Sequence, residues 1–82
     1  MYKNKADNGL NNISGKRIRE FRMNLPEKTS QNQLATRLTL AGLELDKNAI
    51  QKIESGQRFV TDIELKTIAK VLNVSYEDLL DL

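Results

Sequence analysis

The chain has 82 residues, enough for one domain with a single modest hydrophobic core. It contains no cysteine and no histidine, which excludes disulfides, the usual zinc sites and His-based catalytic triads. No apolar run approaches the roughly 18 residues needed to cross a bilayer, and no segment has the pattern of a signal peptide, so we expect a cytoplasmic protein without a metal or other cofactor.

The charges are unevenly distributed along the chain. Residues 1–60 carry eleven Lys and Arg against six Asp and Glu, a net charge of +5, whereas residues 61–82 carry two against five, a net charge of −3. A basic portion joined to an acidic one is typical of a protein that turns one side toward a polyanion. A chance distribution of so few charges is the alternative.

The first twelve residues are polar, rich in asparagine and without an apolar period. They predict a flexible tail over residues 1–12, followed by one domain over residues 13–82. Lys3 and Lys5 could act as a basic arm in a DNA groove, although an uninvolved tail is the simpler interpretation.

Two helices are predicted in the first half of the domain. The first runs from about Ser14 to Asn24, because Pro26 disfavours helical conformation in the residue before it. The second begins at Ser30, which forms an S-x-x-Q capping box with Gln33. The inward side of the second helix is expected to hold Leu34, Ala35, Leu38 and Ala41, with the helix ending at Gly42.

The segment DKNAIQKIESG, residues 46–56, is the most informative stretch of the chain. Asp46 is a good helix N-cap, and Gly56 predicts the left-handed residue that ends the helix. At about 100° per residue, Ala49, Ile50 and Ile53 share a buried flank. The opposite flank carries side chains of the kinds that hydrogen-bond DNA bases and phosphates, namely Lys47, Asn48, Gln51, Lys52 and Ser55. A merely solvated surface has the same composition, so this helix alone does not establish DNA binding.

Two further helices are predicted after the loop that follows Gly56. Thr61 and Glu64 form the capping box of one, and Asn73 can take the left-handed conformation that ends it. Ser75 caps the last helix. Five helices with short connections and no credible strand predict an all-α bundle.

Two opposite charges lie on the apolar sides of their predicted helices. Arg22 stands one turn after Ile18, and Glu54 stands one turn after Ile50. Because an unpaired buried charge is costly, we expect Arg22 and Glu54 to form an ion pair. The alternative is that both side chains extend to water.

These features together resemble the lambda-repressor/Cro (XRE-type) helix-turn-helix family. The resemblance runs from about Ile13 to Leu80 and is carried by the segments GKRIREFR, SQNQLATRL, AIQKIESGQR and IAKVLNVSYEDLL. It implies a compact five-helix bundle in which the second helix crosses the DNA backbone and the third lies in the major groove.

The resemblance also implies roles for individual residues. It places Lys47, Asn48, Gln51 and Lys52 where the family reads bases, and Gln31 and Arg58 where it contacts phosphates. Asn32, in the first turn of the second helix, and Ser55, on the polar flank, are further candidates for phosphate contact. Arg22 and Glu54 match a structural Arg–Glu pair of the family.

One segment departs from the family pattern. The turn TLAGLEL is several residues longer than usual, which is consistent with a second helix that continues through Ala41 and ends at Gly42. The tilt of the third helix, and with it the set of base contacts, depends on this lengthened turn.

The expected function is sequence-specific binding to double-stranded DNA by a transcriptional regulator, most simply a repressor. The alternative is an antitoxin or another small interaction module with a protein partner, and the two overlap because an antitoxin can bind its own operator. An enzyme is not expected, since nothing in the sequence activates isolated side chains such as Ser55 and Lys52.

A symmetric dimer on two half-sites is expected, with the acidic C-terminal part as its interface. Leu79 is enough to hold the last helix to the bundle. Tyr76, Leu80 and Leu82 then have no obvious place in so small a core, so they are candidates for the contact. Leucines that simply fray in water are the alternative.

Overall fold

Five α-helices form in the predicted order. They are α1 (Gly15–Met23), α2 (Gln31–Leu40), α3 (Lys47–Glu54), α4 (Asp62–Leu72) and α5 (Tyr76–Leu80). The computed structural model describes residues 9–80, and no strand occurs among them, which confirms the predicted all-α bundle. The contacts predicted for Lys3, Lys5 and Leu82 fall outside the described residues. Within residues 9–80, no helix is long and apolar enough to cross a membrane.

Capping interactions begin the helices where the sequence predicts them. Ser30 Oγ accepts a hydrogen bond from the Gln33 N–H at 3.1 Å, and the Gln33 side chain accepts one from the Ser30 N–H at 2.8 Å. The same reciprocal pairing opens α4, from Thr61, and α5, from Ser75. Each cap satisfies N–H groups that a helix cannot pair internally, which is worth about 1 kcal/mol relative to alanine.

The ends of α2, α3 and α4 share one geometry. Each is followed by a residue with positive φ, which is 93° for Gly42, 83° for Gly56 and 58° for Asn73. At the end of α2 the Leu43 N–H donates to the Leu38 carbonyl at 2.8 Å, as in a Schellman motif. Equivalent hydrogen bonds close α3 and α4. Some of the carbonyls that each helix leaves unpaired are thus satisfied locally.

One hydrophobic core joins all five helices. Its most deeply buried side chains are Ile18, Leu34, Leu38, Ile50, Ile53, Ile68 and Leu79. Each contributes about 1.5–3 kcal/mol through the apolar surface removed from water. Since α3 packs against both α1 and α2, the helix with the polar flank is held from two sides, while α5 packs against α1 and α4.

Ala41 is an exception to the predicted core. The sequence pattern places it on the inward side of the second helix, but α2 ends at Leu40 and Ala41 is exposed as the C-cap residue. The helix is therefore one residue shorter than predicted, although it ends ahead of Gly42 as expected. Because the chain leaves the helical path here, periodicity no longer determines where the Ala41 side chain lies.

Two residues of the predicted tail contact the bundle. Asn11 hydrogen-bonds to the loop after α3, and Asn12 hydrogen-bonds to the end of α3 and to that loop. The contacts of the bundle therefore extend ahead of residue 13.

Candidate nucleic-acid interface

The third helix presents one polar face to solvent and one apolar face to the core. Ile50 and Ile53 are 2% and 1% exposed. The opposite side is exposed at all five predicted positions, namely Lys47, Asn48, Gln51, Lys52 and Ser55. Asp46 starts the helix, since its Oδ1 accepts a hydrogen bond from the Ala49 N–H at 2.8 Å. The structure therefore brings the predicted base-reading residues together on one accessible surface.

A buried ion pair fixes this helix against α1. Arg22 Nε donates to Glu54 Oε2 at 2.7 Å, and Arg22 Nη2 donates to Glu54 Oε1 at 2.9 Å, which confirms the predicted pair. The two side chains are only 11% and 3% exposed. The other terminal nitrogen of Arg22, Nη1, donates to the Thr29 carbonyl at 2.9 Å, so the guanidinium also holds the segment before α2.

Gln31 belongs to the same network. Its Nε2 donates to Glu54 Oε1 at 2.9 Å, so the Glu54 carboxylate is bonded from α1 and from the first turn of α2. The predicted phosphate contact thus has one amide N–H already engaged inside the protein, and a second N–H left for an anion. The engagement holds the half-buried side chain in place beside α3.

Arg58 is paired as well, which the sequence did not predict. Its Nη1 and Nη2 donate to Glu64 Oε1 and Oε2 at 3.0 Å and 2.9 Å, and Nη1 also donates to the Phe59 carbonyl. The side-chain hydrogen bond from Arg58 is the main cause that lowers the pKa of the Glu64 carboxyl, and the same contact raises the pKa of Arg58. Arg58 is therefore not a free cation. Its Nε–H and one of the two protons on Nη2 are not used in these hydrogen bonds.

The other two predicted phosphate contacts lie at the surface. Asn32 is exposed in the first turn of α2, where helix N–H groups favour an anion. Ser55 is exposed at the end of α3, where its hydroxyl donates to the Lys52 carbonyl at 3.1 Å and would have to turn to reach a phosphate.

Two shallow grooves border the polar face of α3. The groove toward α2 is lined by residues that include Asn32, Thr36, Lys47 and Arg58. A second groove adjoins the first through Asp46, Ala49 and Arg58, and its further lining residues include Asn11, Asn48, Lys52, Gln57 and Phe59. Asn11, Gln57 and Phe59 were not among the predicted site residues, because they come from irregular segments in which no period marks a shared surface.

The Arg58–Glu64 pair predicts a pH-dependent contribution to stability. Because the folded-state pKa of Glu64 lies below its ordinary value of 4.5, this contribution is present above pH 4.5 and is lost as the pH falls through the lowered pKa. Replacing Glu64 with Gln keeps an acceptor for the capping box but removes the charge. We expect the free energy of unfolding to fall by no more than about 1 kcal/mol at pH 7, since the pair is partly solvated. Urea unfolding at neutral and acidic pH measures the effect, and parallel pH curves for the parent and Glu64→Gln would contradict it.

Comparison with known proteins agrees with this geometry. A helix-turn-helix family model matches residues 18–79, from the buried Ile18 of α1 to the buried Leu79 of α5. No curated protein and no solved structure gives a significant match. The match covers most of the chain and includes both helices of the motif with the lengthened turn between them. The chain therefore belongs to the lambda-repressor/Cro (XRE-type) helix-turn-helix family of DNA-binding regulators.

Proposed function

We propose that this protein is a sequence-specific regulator of transcription that binds double-stranded DNA through α3 and acts as a repressor. The observation that carries the proposal is the exposed row of Lys47, Asn48, Gln51 and Lys52 on a helix whose other side is anchored in the core. Amide side chains pair with adenine and lysines with guanine in the major groove. Repression needs nothing beyond occupancy of an operator, and the site of action is the compartment that holds the DNA, the cytoplasm.

Phosphate contacts would orient the helix in the groove. We propose that Gln31 and Asn32 bind the DNA backbone from the start of α2. Arg58, which lines the same groove as Asn32, would bind it from the loop after α3, and Ser55 from the end of α3. Gln31 and Arg58 are held by Glu54 and Glu64 respectively, so each would meet a phosphate with little loss of side-chain entropy. Such contacts give affinity and register without sequence information.

Selection of bound duplexes from a random DNA pool with the purified protein tests the proposal. We expect enrichment of one short motif, and binding that weakens steeply as salt rises, because Lys and Arg contacts release counterions. Failure to enrich any motif, with binding that is equal for all sequences, would contradict sequence-specific regulation.

We also propose that the protein binds as a homodimer through the surface of α4 and α5. Ile63 and Tyr76 are 73% and 46% exposed, and Leu80 is half-buried beside them. Asp62 and Lys66 border the same apolar groove. A two-fold axis through this groove would cover the apolar side chains and bring Asp62 of one copy toward Lys66 of the other. The sequence did not predict Ile63 as a dimer contact, but Ile63 lines this groove together with the predicted residues Tyr76 and Leu80.

Changing Ile63 or Leu80 to Asp should abolish this dimer, because two carboxylates would be buried at the axis. Sedimentation of the free protein and of its complex with the selected duplex measures the assembly. Leu40→Asp is the matched control for the free protein, since Leu40 is 83% exposed but lines the groove between α2 and α3 and lies outside the α4–α5 surface. A parent complex with one chain on a non-repeated site, or unchanged assembly of both variants, would contradict the proposed interface.

A further inference from the structure

Two adjacent asparagines enclose the C-terminal end of α3. Asn12 Nδ2 donates to the Ile53 carbonyl at 3.1 Å and to the Arg58 carbonyl at 2.7 Å, while Asn12 Oδ1 accepts from the Gly15 N–H at 2.7 Å. One side-chain amide therefore connects the start of α1, the end of α3 and the loop after α3. Ser14, the N-cap residue of α1, forms no side-chain cap, so Asn12 supplies an acceptor at this helix start.

Asn11 extends the same contact along the loop. Its backbone N–H donates to the Gly56 carbonyl at 2.8 Å, and its Nδ2 donates to the Gln57 carbonyl at 2.7 Å. Together with Asn12 it provides donors to four carbonyls within residues 53–58. Three of these carbonyls, those of Gly56, Gln57 and Arg58, lie beyond the end of α3, where a carbonyl has no helical partner and would otherwise depend on water. We call residues 11 and 12 with these hydrogen bonds the asparagine clasp.

The backbone around the clasp is packed too closely to shift easily. A Cβ atom added at Gly15 would overlap the Ile53 carbonyl oxygen and crowd Asn12 Oδ1. A Cβ atom added at Gly56 would crowd the side chain of Leu10. The segment before α1 and the end of α3 are therefore in close contact, and the side-chain amide of Asn12 lies at their junction.

The loop that the clasp holds is also the loop at the edge of the DNA-facing surface. Asn11 and Gln57 line the same groove as Asn48 and Lys52 of α3. The carbonyl that Asn12 bonds most closely belongs to Arg58, whose guanidinium we propose as a phosphate contact. A small rotation of this loop would move that guanidinium relative to the exposed face of α3 without unfolding either.

We infer that Asn12 is a positioning residue for DNA recognition. It does not touch DNA in this proposal. Its two donated hydrogen bonds set the orientation of the loop bearing Arg58 relative to α3, so that base-reading and phosphate-contacting groups meet the same stretch of duplex. The inference rests on the proposed function and assigns a DNA-binding role to a segment that precedes the matched helix-turn-helix region.

The test compares Asn12→Ser with Ile68→Val. The serine hydroxyl still offers an acceptor to the start of α1, but it is too short to bridge two carbonyls. Ile68→Val removes one buried methyl group from α4, which contributes no hydrogen bond to the clasp.

Circular dichroism establishes a temperature at which both variants are fully folded, and the dissociation constant for the selected duplex is measured at that temperature. We expect at least a tenfold rise in the dissociation constant for Asn12→Ser and less than a twofold rise for Ile68→Val, together with a smaller salt slope for Asn12→Ser.

Amide hydrogen exchange gives a readout that does not need DNA. The Gln57 and Arg58 N–H groups donate to the Lys52 carbonyl at 2.8 Å and 3.3 Å. We expect both amides to exchange faster in Asn12→Ser but not in Ile68→Val. Unchanged exchange together with unchanged DNA binding would overturn the positioning role while leaving the proposed function intact. If the parent selects no sequence, the proposed function fails, and the DNA-binding role of Asn12 fails with it.

Discussion

Replacing Glu54 with alanine should lower the free energy of unfolding by about 3–5 kcal/mol, because it leaves the Arg22 guanidinium buried without its counter-charge. The effect should exceed that of an ordinary hydrogen bond, since Arg22 and Glu54 are 11% and 3% exposed and Glu54 also accepts from Gln31. Urea unfolding at pH 7 measures the loss. For a domain of 82 residues it is a large fraction of the total stability.

A double-mutant cycle measures the interaction energy between Arg22 and Glu54 apart from the cost of leaving one charge buried alone. We expect the variant with both Arg22→Met and Glu54→Leu to lose much less than the sum of the two single variants, since no buried charge is left unpaired. The Arg17–Glu20 pair on α1 is the internal control. Its side chains are 34% and 44% exposed, so Glu20→Ala should change stability by less than about 1 kcal/mol. Strict additivity in the Arg22–Glu54 cycle would show that the two charges do not act as partners.

The Arg22–Glu54 pair could be predicted because both residues sit on helices whose periodicity is clear. Helical periodicity places each charge on the apolar side of its helix. Because an unpaired buried charge is costly, pairing of the two residues is the simplest prediction. The capping boxes at Ser30 and Thr61 were predictable for a similar reason. They depend on residues three positions apart, so their geometry is fixed by the local backbone alone.

The asparagine clasp could not be predicted in that way. Asn12 bonds to carbonyls 41 and 46 residues further along the chain, and any residue can supply a carbonyl. A polar segment without an apolar period therefore has the same sequence pattern whether or not it packs against the rest of the domain. The Arg58–Glu64 pair was missed for a related reason, because Arg58 lies in a loop whose path only the folded structure defines.

The surface of α3 shows where prediction stops for function. The periodicity of DKNAIQKIESG placed five polar residues on one side, and all five are exposed. In the proposed function, which bases they would read depends on the angle of α3 in the groove. That angle would follow from how the turn from Ala41 to Leu45 and the ion pair at Glu54 hold α3 in the bundle. Sequence pattern thus predicts the exposed polar face of α3, whereas tertiary contacts determine how that face is oriented in the molecule.

Replacing Gln51 with alanine should weaken binding to the selected duplex by about 1–3 kcal/mol, a roughly 5- to 150-fold rise in the dissociation constant. Gln51 is exposed at the middle of α3, where a side-chain amide can form two hydrogen bonds to one adenine. Binding to unrelated duplexes rests on phosphate contacts, so it should change little. The variant should therefore lose discrimination as well as affinity.

Titration of the parent and of Gln51→Ala against the selected duplex and a scrambled one, at one fixed salt concentration, measures both quantities. Asn48→Ala should behave in the same way at a neighbouring base, while Lys70→Ala on α4 is the surface control and should leave both duplexes unaffected. Stability should be unchanged in all three, because the side chains are exposed and make no hydrogen bond within the described part of the chain. If Gln51→Ala bound the selected duplex as tightly as the parent, base reading would have to lie elsewhere on α3, with Lys47 and Lys52 the next residues to change.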